Sequence, residues 1–260
     1  MIAYVAPYKV STFAISDVGL VRHNNEDVWT QLPQQLFFVL ADGMGGHKAG
    51  EVASRQAVDL LCAFFKEKFF ASDQKLETAK LLIAQAIEQV NQTIHKMATQ
   101  YEDLRGMGTT LCCVFLHQEG LVYGHVGDSR IYRLRNQELK QLTQDHSLVQ
   151  ELVDLGQLDE RQAEDFLYKH IITKAIGTEP LVVPSVESDS ILIDDIILLC
   201  SDGLTDLVSH QDIQNIMNHT PEAEMAQRLV KVAKQRGGAD NITIVLIKVL
   251  EKYATHLSGS

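Results

Sequence analysis

Two stretches of the chain carry apolar residues at helical spacing. In residues 51–70 the spacing is three or four positions, through Val52, Ala53, Ala57, Leu60, Leu61 and Phe64. A longer stripe of the same kind runs through Leu76, Ala79, Ile83, Ile87, Val90, Ile94, Met97 and Tyr101. Because an α-helix has 3.6 residues per turn, each stripe predicts a long helix with one buried face.

The other apolar runs are short and end at turn residues, which is typical of strands. They cover residues 10–16, 36–41, 108–117, 120–127, 129–135, 182–187, 195–201 and 242–250. The three runs between 108 and 135 follow one another closely, and they predict an antiparallel meander. Since the strands come in runs and two helices are inserted together, the pattern favours an α+β architecture of stacked antiparallel sheets covered by helices.

The region 144–180 breaks this pattern, because it is polar and mixed in period. It predicts a small, mobile helical insertion. A further helix is predicted after Thr220, the expected N-cap, with Pro221 in its first turn and a glycine pair at 237–238 as its end. The sequence contains no repeat and no obvious linker, so we expect one domain over 1–260.

Composition narrows the choice of partners. The 260 residues are 45% hydrophobic and 22% charged, which suits a folded core, and the formal net charge is −11. Such an acidic chain is not expected to bind nucleic acid or an anionic membrane. No apolar run is long enough to span a bilayer, and the N-terminus does not resemble a signal peptide.

Four cysteines, Cys62, Cys112, Cys113 and Cys200, lie among apolar residues without the spacing of a zinc site. They are expected to be buried and reduced in a cytoplasmic protein, with redox sensing as the alternative.

Four aspartates stand at the ends of strand-like runs, each beside a glycine or an asparagine: Asp42, Asp128, Asp202 and Asp240. Any one of them alone would be an ordinary turn residue. Together they put four carboxylates at the rims of buried strands, and such a cluster repels itself unless a cation lies within it. Oxygen ligands favour hard cations, so the pattern predicts a Mg²⁺ or Mn²⁺ site.

The segment 22–27 places Arg22 close to two acids, Glu26 and Asp27. A guanidinium binds phosphate through two parallel hydrogen bonds, so an arginine beside a metal cluster indicates phosphate-ester chemistry. Alone, the segment would be a solvated charged loop. His47 follows the glycine-rich stretch 43–46 and is either simply exposed or a proton donor to a leaving oxygen. No serine or cysteine stands in a setting typical of a catalytic nucleophile.

These motifs resemble the PPM family of metal-dependent protein serine/threonine phosphatases, the 2C type, in its short bacterial form. The matching stretches run in family order over nearly the whole chain: SDVGLVRHNNEDVW (16–29), ADGMGGHKAGEVAS (41–54), RGMGTTL (105–111), GHVGDSRIYRL (124–134), LTQDHSLVQELVDLGQL (142–158), ITKAIGT (172–178), LLCSDGLTDLVS (198–209) and GGADNITIVLI (237–247). One departure is Lys174, where many bacterial relatives have arginine; we expect a structural role for it.

The resemblance implies a four-layer αββα sandwich, in which two antiparallel sheets lie between helix pairs with the metal site at one end. It implies two tightly bound Mn²⁺ or Mg²⁺ ions and a third, weaker site. Asp42 would bridge the two ions, with the Gly43 carbonyl on one of them. Asp202 and Asp240 would complete the other, and Asp128 would hold the third ion together with Asp202.

The resemblance also implies roles around the metals. Glu26 and Asp27 would hold metal-bound water, Arg22 would clamp the phosphate, and the insertion at about 144–170 would form a flap beside the site. The implied reaction is attack of a metal-bridging water on phosphorus, without a phosphoenzyme. His47 or a metal-bound water would then protonate the departing serine or threonine oxygen.

The expected substrates are phosphorylated proteins carrying phosphoserine or phosphothreonine, and a serine/threonine kinase is the expected partner by analogy. We expect the chain to act as a monomer. Two other readings stay open. One is an inactive relative that binds phosphoproteins, although such a protein should have lost a metal aspartate. The other is a metal-dependent hydrolase of a different phosphate ester, such as a nucleotide.

Overall fold

The computed structural model describes residues 6–44, 48–68, 75–159, 162–163, 166–168 and 170–253. The strands are β1 Tyr8–Asp17, β2 Asp27–Leu32, β3 Phe37–Met44, β4 Gly108–Thr109, β5 Leu111–His117, β6 Gly120–Val126, β7 Arg130–Arg135, β8 Glu138–Gln141, β9 Ser185–Asp189, β10 Ile196–Cys200 and β11 Ile242–Lys252. The α-helices among the described residues are α1 Lys48–Lys68, α2 Leu76–Gln100, α3 Leu148–Asp154, α4 Asp202–Thr205, α5 His210–His219 and α6 Glu222–Gln235.

The strands form two antiparallel sheets. The first sheet has the order β1-β11-β10-β7-β8, and the second has the order β2-β3-β5-β6-β9, with the short β4 paired to β3. Helices α1 and α2 pack on the second sheet, while α5 and α6 pack on the first. The predicted four-layer α+β sandwich is therefore confirmed.

Strand β3 shows why its sequence is apolar at every position before the site. Phe37, Val39 and Ala41 pack towards the helices on one side. Phe38 and Leu40 belong to the core between the two sheets. Because successive strand residues point to opposite faces, a strand buried on both sides reads as a continuous apolar run. Asp42 directly follows this apolar run, near the end of β3.

Two predictions about local structure are wrong. The meander ends after β6, because β7 pairs with β8 and β10 in the first sheet. The crossing between sheets occurs at Gly127, whose φ of 103° is accessible to glycine but costly for other residues. In α6, Pro221 and not Thr220 takes the N-cap position, so the helix begins one residue later than expected.

Strand β2 and the elements β8, α4 and α5 were not predicted at all, while the long helices α1 and α2 begin and end close to the predicted residues. All four cysteines are free and buried, and burial raises the pKa of the Cys62 thiol to about 11. Within the described part of the chain, no helix has both the length and the apolar character that crossing a bilayer requires.

Candidate active site

A cleft of about 700 Å³ opens where β3, the β10–α4 junction and the start of β11 meet. Six of the predicted site residues line it: Arg22, Glu26, Asp42, Gly43, Asp202 and Asp240. Asp27 and Asp128 do not line the cleft but are buried beneath its surface, where they are only 6% and 9% exposed. The structure thus brings all the predicted aspartates to one place, some on the surface of the cleft and some beneath it.

Asp27 and Asp42 form the floor of this site. They are directly opposed on the antiparallel pair β2–β3. Ser201 donates a hydrogen bond of 2.8 Å from Oγ to Asp27 Oδ2, yet burial raises the pKa of Asp27 to about 6. Burial, together with the charges of Asp27 and Asp202, holds the pKa of Asp42 well above its ordinary value.

Two threonines fix the backbone of Asp42. The hydroxyl of Thr110 accepts a hydrogen bond of 3.0 Å from the Asp42 amide, and the Thr110 amide donates to the Asp42 carbonyl at 2.8 Å. Thr109 donates to the same carbonyl from its hydroxyl at 2.8 Å. The motif at 105–111 therefore positions Asp42, a role that the sequence alone did not assign.

Asp202 and Asp128 come from the first sheet and the crossing turn. Asp202 is the first residue of α4 and is separated from the end of β10 only by Ser201, and its pKa is held well above the ordinary value by burial and by the charge of Asp128. Burial, followed by the charges of Asp145 and Asp206, raises the pKa of Asp128 to about 6. These carboxyl groups are close enough for the charge on one to disfavour ionisation of its neighbour.

Arg22 and Asp240 form an ion pair at the rim, with Nη2 of Arg22 2.7 Å from Oδ2 of Asp240. The Arg22 side chain is 54% exposed, so its planar head can be reached from the cleft. The other oxygen of Asp240 accepts a hydrogen bond of 2.8 Å from the Asn241 amide. A guanidinium thus stands beside the carboxylate cluster, as predicted.

Two glycines allow Glu26 to reach the cleft. A Cβ atom at Gly50 would collide with Oε2 of Glu26, and one at Gly43 would collide with the carbonyl oxygen of Gly50. A side chain at Gly43 would push β3 away from the start of α1, and one at Gly50 would displace the Glu26 carboxylate. Burial, opposed by Arg22, raises the pKa of Glu26.

His47, the predicted proton donor, lies outside the described residues. A histidine that the sequence did not single out, His170, lines the cleft instead. Its Nδ1 lies 2.9 Å from Oδ2 of Asp206, which is also at the cleft wall. His170 is the last residue of the predicted flap, and Ile172, two positions further along the chain, also lines the cleft, so the base of that segment borders the site.

The donor chemistry of the cleft fits divalent cations. Oδ1 of Asp27, Asp128 and Asp202 is buried, and the described residues give none of the three a hydrogen-bond partner. These three oxygens belong to carboxyl groups whose pKa is raised by burial, so a bound cation would stabilise their charged forms. Oxygen donors of this kind suit Mg²⁺ and Mn²⁺.

The ligands of each ion follow from the resemblance and from the chemistry of the cleft. Over the described ranges, no three His, Cys, Asp or Glu side chains stand together in a group that could hold one ion. The Asp240 carboxylate is instead paired with Arg22. The ligand set inferred from the resemblance therefore stays a prediction.

Comparison with known proteins identifies the family and the relatives of the chain. The family model for protein phosphatase 2C matches residues 22–237. A serine/threonine phosphatase, stp, of Listeria monocytogenes is 39% identical over 242 residues, which cover 90% of this chain and 93% of that protein. The solved structure of the S. agalactiae serine/threonine phosphatase matches with a TM-score of 0.85 at 35% identity, covering 94% of this chain and 100% of that one.

A further solved structure contains metal. It is the catalytic domain of the serine/threonine protein phosphatase PstP in complex with two manganese ions, with a TM-score of 0.81 and 36% identity, covering 93% of this chain and 99% of that one. The chain belongs to the protein phosphatase 2C family. The prediction that it is a protein serine/threonine phosphatase is confirmed.

Proposed function

We propose that the chain hydrolyses phosphoserine and phosphothreonine esters of proteins with the help of two Mn²⁺ or Mg²⁺ ions. One observation carries the proposal: Arg22 lines the same cleft as three aspartates, Asp42, Asp202 and Asp240. The arginine matches the phosphate and the aspartates match the cations, so together they fit a metal-dependent phosphate-ester hydrolase. We further propose that residues 1–260 form one catalytic domain.

The ligands come from separate parts of the fold. Asp42 and the Gly43 carbonyl would serve from the end of β3, and Asp202 would serve from the start of α4. Asp240 would serve from the residue pair before β11, and Asp128 with Asp202 would hold the third, weaker ion. When bound, the ions would lower the pKa of a water molecule and offset the negative charge on the phosphoryl oxygens.

The chain's own residues then bind and orient the reactants. Arg22 would hold the phosphate through its planar pair of donors. Glu26 and Asp27 would accept hydrogen bonds from water at the floor and fix its direction of attack. Among the described residues that line the cleft, the one hydroxyl is that of Thr110, which already bonds to the Asp42 amide and to Ser129. A side-chain hydroxyl is therefore a poor nucleophile here, which favours direct attack by water.

The proton for the departing oxygen has two candidate donors. His47 is the donor that the sequence indicates, and His170 is the imidazole that the described cleft contains. The Asp206 carboxylate would orient His170, because its Oδ2 lies 2.9 Å from Nδ1 of the imidazole. A leaving serine oxygen needs such a donor far more than an acidic aryl oxygen does.

The partners follow from this chemistry. The substrates would be phosphorylated proteins, and a serine/threonine kinase would supply them. We propose that the chain works as a monomer in the cytoplasm, bound neither to nucleic acid nor to membrane. Its four free, buried thiols suit a reducing compartment, and its net charge of −11 disfavours polyanionic partners.

The test is a panel of substrates with the purified protein, with and without Mn²⁺. Phosphothreonine and phosphoserine peptides should be hydrolysed in the presence of metal, faster than nucleotides and phosphotyrosine peptides. Preference for a nucleotide would replace the proposal with the other phosphate-ester reading. Tight binding of phosphopeptides with no turnover in Mn²⁺ would indicate the inactive, phosphoprotein-binding relative.

A further inference from the structure

Asn241 uses all of its side-chain hydrogen bonds on one loop. It is 4% exposed and lies between Asp240 and β11. Its Oδ1 accepts a hydrogen bond of 2.8 Å from the Glu26 amide. Its Nδ2 donates to the carbonyl oxygens of Val18 at 3.0 Å and Asn24 at 2.9 Å. The three partners belong to residues 18–26, the loop that joins β1 to β2.

The orientation of this amide follows from its partners. The Glu26 amide can only donate, and the two carbonyl oxygens can only accept, so a flipped side chain would satisfy none of the three. A buried asparagine whose hydrogen bonds are matched in this way is a specific clamp, because breaking any one of them would leave a buried polar group unpaired. Replacing it should therefore loosen the loop at both of its ends.

The loop held by Asn241 carries Arg22 at its middle. Arg22 is half-exposed, and its guanidinium contacts Asp240, the residue directly before Asn241 in the chain. Residues 240 and 241 thus contact the loop in two ways. The Asp240 carboxylate pairs with the Arg22 guanidinium, and the Asn241 side chain bonds to the backbone of the loop. An exposed side chain depends on its own backbone for its position, since little packs around it.

We propose that Asn241 is a positioning residue, which holds the 18–26 loop so that Arg22 faces the phosphate. The inference rests on the proposed function, in which Arg22 binds the phosphoryl group. Asn241 itself touches neither substrate nor metal in this scheme. It acts by fixing the loop backbone at Val18, Asn24 and Glu26. If that is correct, an enzyme without Arg22 has nothing further to lose when Asn241 is replaced.

A double-mutant cycle tests this dependence. Arg22→Ala and Asn241→Ala should each lower kcat/KM on a phosphothreonine peptide by about 10- to 100-fold at saturating Mn²⁺, chiefly by raising KM. The double variant should be within about threefold of Arg22→Ala alone, because coupled residues are not additive. If the two losses multiply in the double variant, Asn241 does not act through Arg22 and the proposal is overturned.

Asn91→Ala is the matched control. Asn91 is also fully buried, and it holds another loop by accepting from the Gly177 amide at 2.8 Å and donating to the Glu179 carbonyl at 3.0 Å. Its replacement should lower stability much as Asn241→Ala does. It should leave KM nearly unchanged and combine additively with Arg22→Ala. Coupling of Arg22 to Asn91 as strong as that to Asn241 would mean that both asparagines act through general stability.

Hydrogen exchange of the metal-free protein gives a readout that is independent of activity. In Asn241→Ala, amides of 18–26 should exchange at least about tenfold faster, while those of β5 should not change. Unchanged exchange in the loop would overturn the positioning role. If the wild-type protein proves inactive on phosphopeptides, the proposed function fails, while accelerated exchange would still show that Asn241 holds the loop.

A second variant covers the case in which Asn241→Ala does not fold. Asn241→Asp keeps the shape and the acceptor for the Glu26 amide, but it removes the donors to Val18 and Asn24. The same coupling to Arg22 and the same faster exchange are expected. If neither variant folds, Asn241 is a stability residue of the whole molecule and the specific role is overturned.

Discussion

Asp27 and Asp42 are directly opposed on β2 and β3, so two carboxyl groups share the floor of the cleft. Burial raises the pKa of Asp27 to about 6, and burial together with the charge of Asp27 holds that of Asp42 well above the ordinary value. The fold therefore holds these groups together at a cost in stability when no cation is present. Metal, charge and pH should each change that cost.

Removal of metal should abolish activity reversibly. All the proposed ligands are oxygens, and hard cations bound by oxygens exchange readily with chelators. After EDTA treatment and dialysis, turnover of a phosphopeptide should be lost, and Mn²⁺ should restore it while raising Tm. Full activity in the exhaustively dialysed protein would exclude the two-metal mechanism.

Asp42→Asn should separate activity from stability. The change keeps the shape but removes a charge from the floor, so turnover at saturating Mn²⁺ should fall by more than about 100-fold, since even outer partners of a metal typically contribute about 10- to 100-fold. The metal-free variant should be more stable than the metal-free wild type by roughly 1–3 kcal/mol, because repulsion is relieved. Activity assays and thermal denaturation in EDTA measure the two effects.

Asp212→Asn is the control for that variant. Asp212 lies in the first turn of α5 and pairs with Arg236 at 2.8 Å, outside the carboxylate cluster. Its replacement should lower stability and leave turnover unchanged, the reverse of Asp42→Asn. Near-wild-type turnover of Asp42→Asn in Mn²⁺ would show that Asp42 is not a ligand.

The stability of the metal-free protein should depend on pH through its buried carboxyls. The pKa of Asp27 and that of Asp128 are about 6 in the folded protein, against an ordinary value of 3.8. Between these pH values the folded state carries protons that the unfolded chain has released. The contribution of these groups to the free energy of unfolding therefore increases as pH falls through about 6, and it is complete near 3.8.

Two histidines act in the opposite direction. Burial lowers the pKa of His125, and burial together with His125 lowers that of His146 to about 3. The unfolded chain binds these protons first, so their effect is to reduce stability as pH falls below the ordinary value of 6.5. Neither histidine is a proposed metal ligand, so we expect their effect to cancel in the difference between the protein with and without metal.

We therefore expect the rise in Tm on adding Mn²⁺ to shrink as pH is lowered from about 7 to about 5, as protons compete with metal for the carboxyls. Thermal denaturation in EDTA and in Mn²⁺ at each pH gives the difference directly. A metal-induced shift that stays constant over this range would show that the carboxyls of the floor do not release protons on binding metal.

Arg22→Ala should act mainly on phosphate affinity. A bidentate guanidinium contacts the phosphate dianion in the ground state as well as in the transition state, so KM should rise. A charge-assisted contact contributes roughly 1.5–3 kcal/mol, which corresponds to about 10- to 100-fold in kcat/KM. Arg228→Ala, which removes an exposed arginine of α6, is the control and should leave the kinetics unchanged. Wild-type kinetics for Arg22→Ala would show that Arg22 is a solvated surface residue that does not bind the phosphate.

The apolar pattern of the sequence was sufficient to predict the long helices and to locate the aspartates at the ends of strands. Helices α1 and α2 were predicted because each buries one continuous stripe, and Asp42, Asp202 and Asp240 were found because each ends or precedes a buried run. The short elements α4 and β8 span only four residues each, too few to show a period. The change of sheet at Gly127 leaves no trace in the pattern, because both sheets have buried strands.

The parts of the site that the sequence missed depend on contacts between distant residues. Asn241 and Glu26 are joined by a hydrogen bond, although 215 positions separate them in the chain. His170 reaches the cleft only because the insertion folds back beside α4, where Asp206 accepts its hydrogen bond. Neither residue type is unusual in its local setting, so only the folded chain shows what each of them contacts.

The flap should select protein substrates without taking part in the chemistry. Leu155 is 69% exposed, and Phe166 packs edge-on against Tyr168, so the flap, whose last residue His170 lines the cleft, presents apolar side chains. A protein substrate can contact these side chains around its phosphorylated residue, whereas a small aryl phosphate reaches only the metals and Arg22. Leu155→Ala and Phe166→Ala should therefore slow turnover of phosphoproteins by about 3- to 30-fold, the effect of removing roughly 0.6–2 kcal/mol of apolar interaction.

The same variants should leave turnover of a small aryl phosphate nearly unchanged. Leu81→Ala is the matched control, because Leu81 is a 64% exposed leucine on α2, outside the flap, and its loss should affect neither substrate. Amides of the flap should also exchange faster than those of β5, since the segment has few buried contacts to hold it closed. Equal loss on the small and the protein substrate would mean that the flap shapes the catalytic site itself, because selection through surface contacts can act only on a substrate large enough to reach them.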